Sequence, residues 1–192
     1  QDDLYLELAF LDLLRNHGLA IGSDDAARAW SGTTYRLWHG NKAARENLLR
    51  GIRPPMSGAP VCTEHWQDID FQIEADLFGL IHPGLPGAAR DVASRFGVVL
   101  ASGDGLYGGL YVAGLYANAY TETNRLELVR SALTGIPVES EYASAARDVI
   151  EAWERDASDW RQAWGLVEER WGDADVCPSG RGKPFNISAT LN

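Results

Sequence analysis

Apolar residues recur along most of the chain at the three- and four-residue spacing that is typical of amphipathic helices. The first such run covers residues 4–14 and ends at Asn16-His17-Gly18, which has the composition of a helix C-cap. Ser23-Asp24-Asp25 is typical of a helix N-terminus and predicts a short helix that ends near Trp30. No convincing run of alternating strand residues is present in the sequence. The pattern therefore predicts an all-α fold.

Further helices are predicted along the rest of the chain, at approximately 33–50, 66–81, 86–97, 107–120, 124–133, 139–156 and 159–171. Arg53-Pro54-Pro55 and residues 57–60 interrupt the pattern and predict a loop between the first two of these helices. The helix over 107–120 is rich in Gly and Ala, which predicts a central, closely packed helix. No linker or repeat divides the chain, so we expect one compact domain over 1–192. Helix starts lie near both ends, and we expect this domain to be incomplete at both.

Composition and charge narrow the possible partners. The 192 residues are 45% hydrophobic and carry a formal net charge of −10, with no clustered run of basic residues. Binding to a nucleic-acid backbone requires a concentrated positive surface, so we expect no nucleic-acid partner. No uninterrupted apolar stretch approaches the length of a membrane span, so we expect no membrane partner either. An acidic protein can still bind an anionic small molecule through a divalent cation.

The sequence leaves the compartment and the oligomeric state open. The first residues have no basic segment of the kind that begins a signal peptide, which favours the cytoplasm without establishing it. Cys62 and Cys177 lie far apart beside prolines, and two ordinary thiols are a simpler interpretation than a disulfide.

The adjacent acids Asp2 and Asp3 open the first predicted helix. Two such carboxylates reach one hard cation from different directions, and Mg²⁺ and Ca²⁺ prefer oxygen ligands. The alternative is that they only cap the helix and interact with its dipole.

Asp70 and Glu74 stand four residues apart in the predicted helix 66–81, with Gln72 on another face. Hydrolysis of a glycosidic bond commonly uses two carboxylates, one as acid and one as base or nucleophile. The alternative is an ordinary solvated helix surface, although the positions between the two acids are apolar.

Residues 102–109 form a glycine-rich segment that leads into the central helix. The backbone N–H groups of such a loop suit a phosphate or a sugar hydroxyl, which makes Ser102, Asp104, Gly105 and Tyr107 candidate ligand contacts. Taken alone this signal is weak, because a turn followed by close helix packing has the same composition.

Other polar groups give weaker signals. Asp173-Ala174-Asp175 has the form of a metal motif but stands in a turn-rich tail, and we interpret it as a solvated loop. The four histidines share no spacing that is typical of zinc ligands. Trp38 beside His39 is a candidate for the lining of a pocket, whereas the other tryptophans have the spacing of core residues.

Taken in order, these segments resemble a divergent sub-branch of the ADP-ribosylglycohydrolase family, over the central portion of its fold. Asp2-Asp3 resembles the acidic pair that opens a long helix in the family, and residues 54–58, with Ser57 and Gly58, resemble its substrate loop. Residues 69–81 and the turn Gly103-Asp104-Gly105 are similar to segments of the sub-branch. Pro184-Phe185-Asn186-Ile187 resembles the segment that precedes the family's last conserved region.

The resemblance implies an all-α bundle that holds two Mg²⁺ ions in a cleft and hydrolyses the bond between a ribose anomeric carbon and its acceptor. It implies that Asp2 and Asp3 are metal ligands and catalytic residues. It also implies substrate contacts from the loop and helix residues named above: Ser57, Gly58, Asp70, Gln72, Glu74, Ser102, Asp104, Gly105 and Tyr107.

Two of the family's acidic motifs have no counterpart within these 192 residues, so we expect this stretch alone to be inactive. Where many members have an Asn-Gly and a Met-Arg element, this chain has Asp70 and Glu74. Carboxylates there disfavour a pyrophosphate, so a neutral or cationic glycoside or an N-riboside fits better than an ADP-ribosylated protein. The alternatives are a member that binds a sugar or nucleoside without turning it over, and a purely structural helical domain.

Overall fold

The computed structural model describes residues 2–171, without the side chain of Asp2, and within this range all regular structure is helical. The elements follow in chain order as α1 (Asp2–His17), α2 (Ser23–Gly32), α3 (His39–Leu49), a 3₁₀ turn (Met56–Gly58), α4 (Asp70–Ile73), α5 (Asp76–Leu80), α6 (Pro86–Gly97), α7 (Gly103–Asn118), α8 (Arg125–Leu133), α9 (Glu141–Arg155) and α10 (Trp160–Trp171). The predicted all-α fold class is therefore confirmed. None of these helices has the length and the apolar character that crossing a bilayer requires.

Local signals set several helix ends as predicted. Gly18 adopts a φ of 75°, which side chains disfavour, and its N–H donates to the Leu14 carbonyl at the end of α1. At the start of α2 the Asp25 carboxylate accepts a hydrogen bond from the backbone N–H of Gly22 at 3.1 Å. Pro86 occupies the first turn of α6, where its missing N–H costs nothing.

The helix predicted over 33–50 was wrong in its first turn, because α3 begins only at His39. The Arg45 guanidinium explains the difference. It donates to the carbonyl oxygens of Thr33, at 3.3 Å, and Tyr35, at 2.7 Å. These carbonyls are therefore satisfied by a side chain from α3 rather than by a helix of their own.

The single helix predicted over 66–81 was also wrong. Residues 66–69 are turns, and two short helices, α4 and α5, follow with a break at Glu74 and Ala75. A tertiary contact explains the start: the carbonyl of Trp66 accepts a hydrogen bond from the Ser102 N–H at 3.1 Å, so it is bonded to the segment before α7.

α7 is the central helix, packed against α4, α5, α6 and α8 as its small residues predicted. Gly109 is the clearest case, since a Cβ atom at this position would overlap the Phe71 ring of α4. Around this contact lies an aromatic core in which Phe10, Phe78 and Phe96 are almost fully buried and pack on one another. The close approach of α4 to α7 fixes where the residues beside Phe71 point.

Candidate functional site

Three acidic or imidazole side chains from two separate segments meet where α3 begins and α4 begins. Ligand-type atoms of His39, Asp68 and Asp70 all lie within 4.8 Å of one another. His39 opens α3, Asp68 lies in the turn that leads into α4, and Asp70 is the first residue of α4. We refer to His39, Asp68 and Asp70 as the triad.

Asp70 is held at the buried side of the triad. Its side chain is only 5% exposed, and its Oδ1 accepts a hydrogen bond from the backbone N–H of Asn41 at 3.3 Å. Its Oδ2 is also buried but has no hydrogen-bond partner in the described part of the chain. The first turn of α3 approaches closely here, since a Cβ on Gly40 would stand 3.4 Å from that Oδ2. An acceptor atom at the triad is thus left without a donor.

The Asn41 side chain links this carboxylate to a second one. Its Nδ2 donates to Glu74 Oε1 at 2.6 Å, and both residues are fully buried. One asparagine on α3 therefore positions Asp70 through its backbone and Glu74 through its amide. The solvated helix surface considered for Asp70 and Glu74 is wrong, because both carboxylates face the interior.

Asp68 has a positioning partner as well. Its Oδ2 lies 2.6 Å from His65 Nδ1, and this hydrogen bond is the first cause that raises the pKa of His65. The rings of His65 and His39 lie with their centroids 5.7 Å apart. Two imidazoles and two carboxylates are therefore grouped at the same place.

Burial dominates the electrostatics of this region, and like charges add to it. The pKa of Asp70 is raised to about 7, chiefly by burial and then by the charges of Asp68 and Asp3, against the opposing hydrogen bond from Asn41. At the start of α1, burial raises the pKa of Glu7, and Asp76 and Asp3 add to the shift. Asp3 is thus close enough to act on carboxylates of α1 and α4, and Asp76 of α5 acts on the same Glu7. The side chain of Asp2 lies outside the described part of the structure.

A cleft of about 670 Å³ opens beside the triad, between α3 and the loop that follows the 3₁₀ turn. His39 and His65 line it, together with Trp38, Lys42 and the free thiol Cys62. The prediction that Trp38 beside His39 lines a pocket is therefore confirmed. Cys177 lies outside the described residues.

Trp38 stands at the cleft as an exposed ring. The Arg36 guanidinium carbon lies 3.7 Å from the centroid of this ring, in the geometry of a cation–π contact. The cleft thus offers an aromatic surface with both a cationic side chain, Lys42, and acidic ones, Glu46 and Glu64, while the triad at its side supplies further carboxylates.

The predicted loop contacts Ser57, Gly58 and Ser102 make bonds within the protein. Ser57 Oγ donates to the Val99 carbonyl at 2.6 Å, and Ser102 Oγ donates to the Gly58 carbonyl at 3.1 Å. A Cβ on Gly58 would overlap the backbone at Ala101. These contacts join the 3₁₀ turn to the connection between α6 and α7, and the predicted role of the three residues in substrate binding stays a prediction.

Asp104 lies buried at the start of α7, and its Oδ1 accepts a hydrogen bond from the backbone N–H of Tyr142 at 2.9 Å, in the first turn of α9. Burial raises the pKa of Asp104, and that hydrogen bond lowers it. The contact gives Asp104 a helix-capping role that spacing did not indicate.

Three more predicted substrate residues, Gly105, Gln72 and Tyr107, lie along α7 or beneath it. A Cβ on Gly105 would overlap the Trp66 carbonyl, so this glycine permits close packing. Gln72 is buried under α7, where a Cβ on Gly108 would stand 2.6 Å from its Oε1, and Tyr107 is half-buried. Their role in substrate binding also stays a prediction.

Sequence reasoning missed His65, Asp68 and Asn41 as site residues, and it noted His39 only as the neighbour of Trp38 at a pocket. The local signal available was the spacing of His65 and Asp68, three residues apart, which allows a hydrogen bond within one turn. His39 and Asp70 are brought together only by the packing of α3 on α4. Asp173-Ala174-Asp175 lies outside the described residues.

No family model, curated protein or solved structure matches this chain. The resemblance to the ADP-ribosylglycohydrolase family therefore stays a prediction.

Proposed function

We propose that this chain forms part of a Mg²⁺-dependent glycohydrolase that cleaves an ADP-ribosyl or related N- or O-glycosidic bond. The observation that supports the proposal is a group of buried carboxylates behind the cleft: Asp68 and Asp70 meet at the triad, and Asn41 links Asp70 to Glu74. Buried carboxylates are costly unless they are hydrogen-bonded, protonated or bound to a cation, and a group of them behind a cleft favours a functional site.

The oxygen-rich donor set around the start of α1 fits a hard divalent ion. Asp3 raises the pKa of Glu7 and of Asp70, so several carboxylates share one region there, and Mg²⁺ prefers such ligands. Asp3 would hold the ion, with Asp2 as its neighbour by resemblance to the family. A bound ion of this kind polarises an oxygen of the substrate and lowers the pKa of a coordinated water.

The chain's own residues position the acidic groups and receive the sugar. Asn41 fixes Asp70 and Glu74 through two hydrogen bonds, and His65 fixes Asp68 through a third. The exposed Trp38 ring at the cleft suits the apolar face of a ribose or a base.

A non-catalytic member of the same fold, which binds a sugar or nucleoside without turnover, is the second candidate. It is favoured by the loop hydroxyls of Ser57 and Ser102, because both donate to backbone carbonyls rather than pointing to the cleft.

Calorimetric titration of the whole chain with Mg²⁺ tests the proposal, followed by turnover assays of the full-length protein, in which the family's other acidic motifs are expected, on an ADP-ribosylated protein and on a chromogenic N-riboside. We expect Asp3→Asn to abolish Mg²⁺ binding. Asp12→Asn, an exposed acid on the same helix, is the matched control and should bind as the unaltered chain does. Equal Mg²⁺ binding by Asp3→Asn would contradict the proposal, while Mg²⁺ and riboside binding without turnover would favour the second candidate.

A further inference from the structure

The triad differs in its chemistry from the carboxylates around Asp3, because it includes an imidazole. Imidazole suits Zn²⁺, Co²⁺, Ni²⁺ and related ions, whereas sites made only of carboxylates and water suit Mg²⁺ and Ca²⁺. We propose that His39, Asp68 and Asp70 form a binding site for a borderline transition-metal ion such as Zn²⁺ or Co²⁺, centred on the His39 imidazole rather than on Asp3. Asp68 and Asp70 also support the proposed function, but this site requires an imidazole ligand and is tested by metal binding alone, so the inference goes beyond that function.

The geometry of the triad fits such an ion. Metal bonds to imidazole nitrogen and carboxylate oxygen are about 2.0–2.2 Å long, so ligand atoms on one ion stand about 3–4 Å apart. The ligand atoms of the triad lie within 4.8 Å of one another, and His39 is only partly buried. The separations in the metal-free chain are therefore close to those that one bound ion requires.

An unsatisfied atom points to a ligand independently of the acidic cluster. Asp70 is about nineteen-twentieths buried, and its Oδ2 has no hydrogen-bond partner among the described residues, although Oδ1 does. A buried acceptor without a donor costs free energy, and a cation at the triad would satisfy it.

The two carboxylates are already oriented by outer partners. The backbone N–H of Asn41 holds Asp70, and His65 Nδ1 holds Asp68 at 2.6 Å. Hydrogen-bonded outer partners of this kind are what fix the ligands of protein metal sites. His65 is thus a positioning residue, and His39 is the ligand that faces the cleft.

The cleft leaves one side of the site open. His39 lines the cleft, whereas Asp68 and Asp70 are buried behind it. Three protein ligands with an open position are the arrangement in which zinc binds a water or a substrate atom. A bound ion would therefore be reachable by a small molecule in the cleft.

The first test is titration of the chelator-treated whole chain with Co²⁺, followed by visible absorption, and with Zn²⁺, followed by calorimetry. We expect one Co²⁺ site that Zn²⁺ displaces and that excess Mg²⁺ does not. His39→Asn is the informative variant, because His39 has a φ of 35° and asparagine tolerates positive φ well. It should weaken Co²⁺ binding by more than the about 10- to 100-fold that is typical of a lost outer partner.

Control variants separate this site from the Mg²⁺ site. His17→Asn replaces an exposed histidine at the end of α1 and should leave Co²⁺ affinity unchanged. His65→Gln should weaken it by about 10- to 100-fold, as expected for a positioning residue. Asp3→Asn should retain Co²⁺ binding while it loses Mg²⁺ binding. A failure of the Mg²⁺ proposal can therefore be told apart from a failure of the transition-metal proposal.

A second measurement needs no variant. The chain has four histidines, so their ring protons can be followed individually by nuclear magnetic resonance during addition of Zn²⁺. We expect the His39 resonances to shift at one equivalent while those of His17 and His82 stay in place. Unchanged Co²⁺ affinity in His39→Asn, or His39 resonances that do not respond to Zn²⁺, would overturn the inference.

Discussion

The contact between α7 and its neighbours and the junction between α3 and α4 are built on opposite principles. Around Phe71 and Gly109 the chain buries rings against a helix backbone, which stabilises the fold through apolar area and close packing. At the junction it buries Asn41, Asp70 and Glu74, where removing carboxylates from water, and secondly the nearby like charges, raises the free energy of the native state. The first region maintains the fold, and the second has a cost that the proposed ligand binding would explain.

The two regions are adjacent in sequence as well as in space. Phe71 packs beneath α7, and Asp70 beside it faces α3. Because α4 has only four residues, a shift of the aromatic ring moves the carboxylate with it. The apolar region therefore positions the polar one.

The largest effect on the free energy of unfolding is expected from adding a methyl group where α7 touches the Phe71 ring. Gly109→Ala places a Cβ where the Phe71 ring lies, and we expect it to lower the free energy of unfolding by about 1–3 kcal/mol. Urea denaturation followed by circular dichroism measures the change. Gly87→Ala in α6 is the control, since a Cβ there meets nothing within 4 Å, and it should be neutral or stabilising by up to about 1 kcal/mol. Equal destabilisation by both variants would remove the distinction between packed and open helix positions.

A smaller effect of opposite sign is expected in the polar region. The pKa of Asp70 is raised to about 7, so its ionisation is easier in the unfolded chain. Native stability from this group is present at low pH and is lost as the pH rises through about 7. Asp70→Asn should therefore raise the free energy of unfolding of the metal-free chain at pH 8, on the order of 1–2 kcal/mol.

Thermal unfolding in chelator at pH 5 and at pH 8 checks this expectation. The gap between the unaltered chain and Asp70→Asn should be wide at pH 8 and narrow at pH 5. A variant that is less stable at both values would show that the Asp70 carboxylate supports the fold, contrary to the contrast between the two regions.

The smallest effect on stability is expected at Asp104, a buried acid that caps a helix. It therefore serves as a structural counterpart to the buried acids of the junction between α3 and α4. Asp104→Ala removes an acceptor from the first turn of α9 and should cost about 1 kcal/mol of unfolding free energy. Asp104→Asn retains an acceptor oxygen and should cost less. Chemical denaturation of both variants, beside Co²⁺ titration, checks the expectation. Weakened Co²⁺ binding in either variant would place Asp104 with the site rather than with the scaffold.

The helical architecture could be predicted because its signals are local. Gly18 and Pro86 set helix ends through their own backbone properties, and the small residues of α7 indicated a crowded neighbour. The sequence also named Asp70 and Glu74, but it placed them together on one long helix. The break between α4 and α5 and the delayed start of α3 depend on contacts made by distant residues, such as the Arg45 guanidinium on the Tyr35 carbonyl.

The candidate site was harder to predict than the fold for the same reason. His39 stands alone in the sequence, and only the packing of α3 on α4 gives it carboxylate neighbours. Asn41 has no local signal for its role, because it bonds to two acids that lie beyond the intervening loop.

The hydrogen bonds of Asn41 have a consequence for how the protein folds. They join residues 29 and 33 positions apart, so the entropy of closing that loop must be overcome before the carboxylates meet. A partly folded chain in which α3 has not docked contains the same ligands but no triad. An ion that binds the triad would therefore recognise the finished topology alone, and raising its concentration would shift the folding equilibrium toward the native state by mass action.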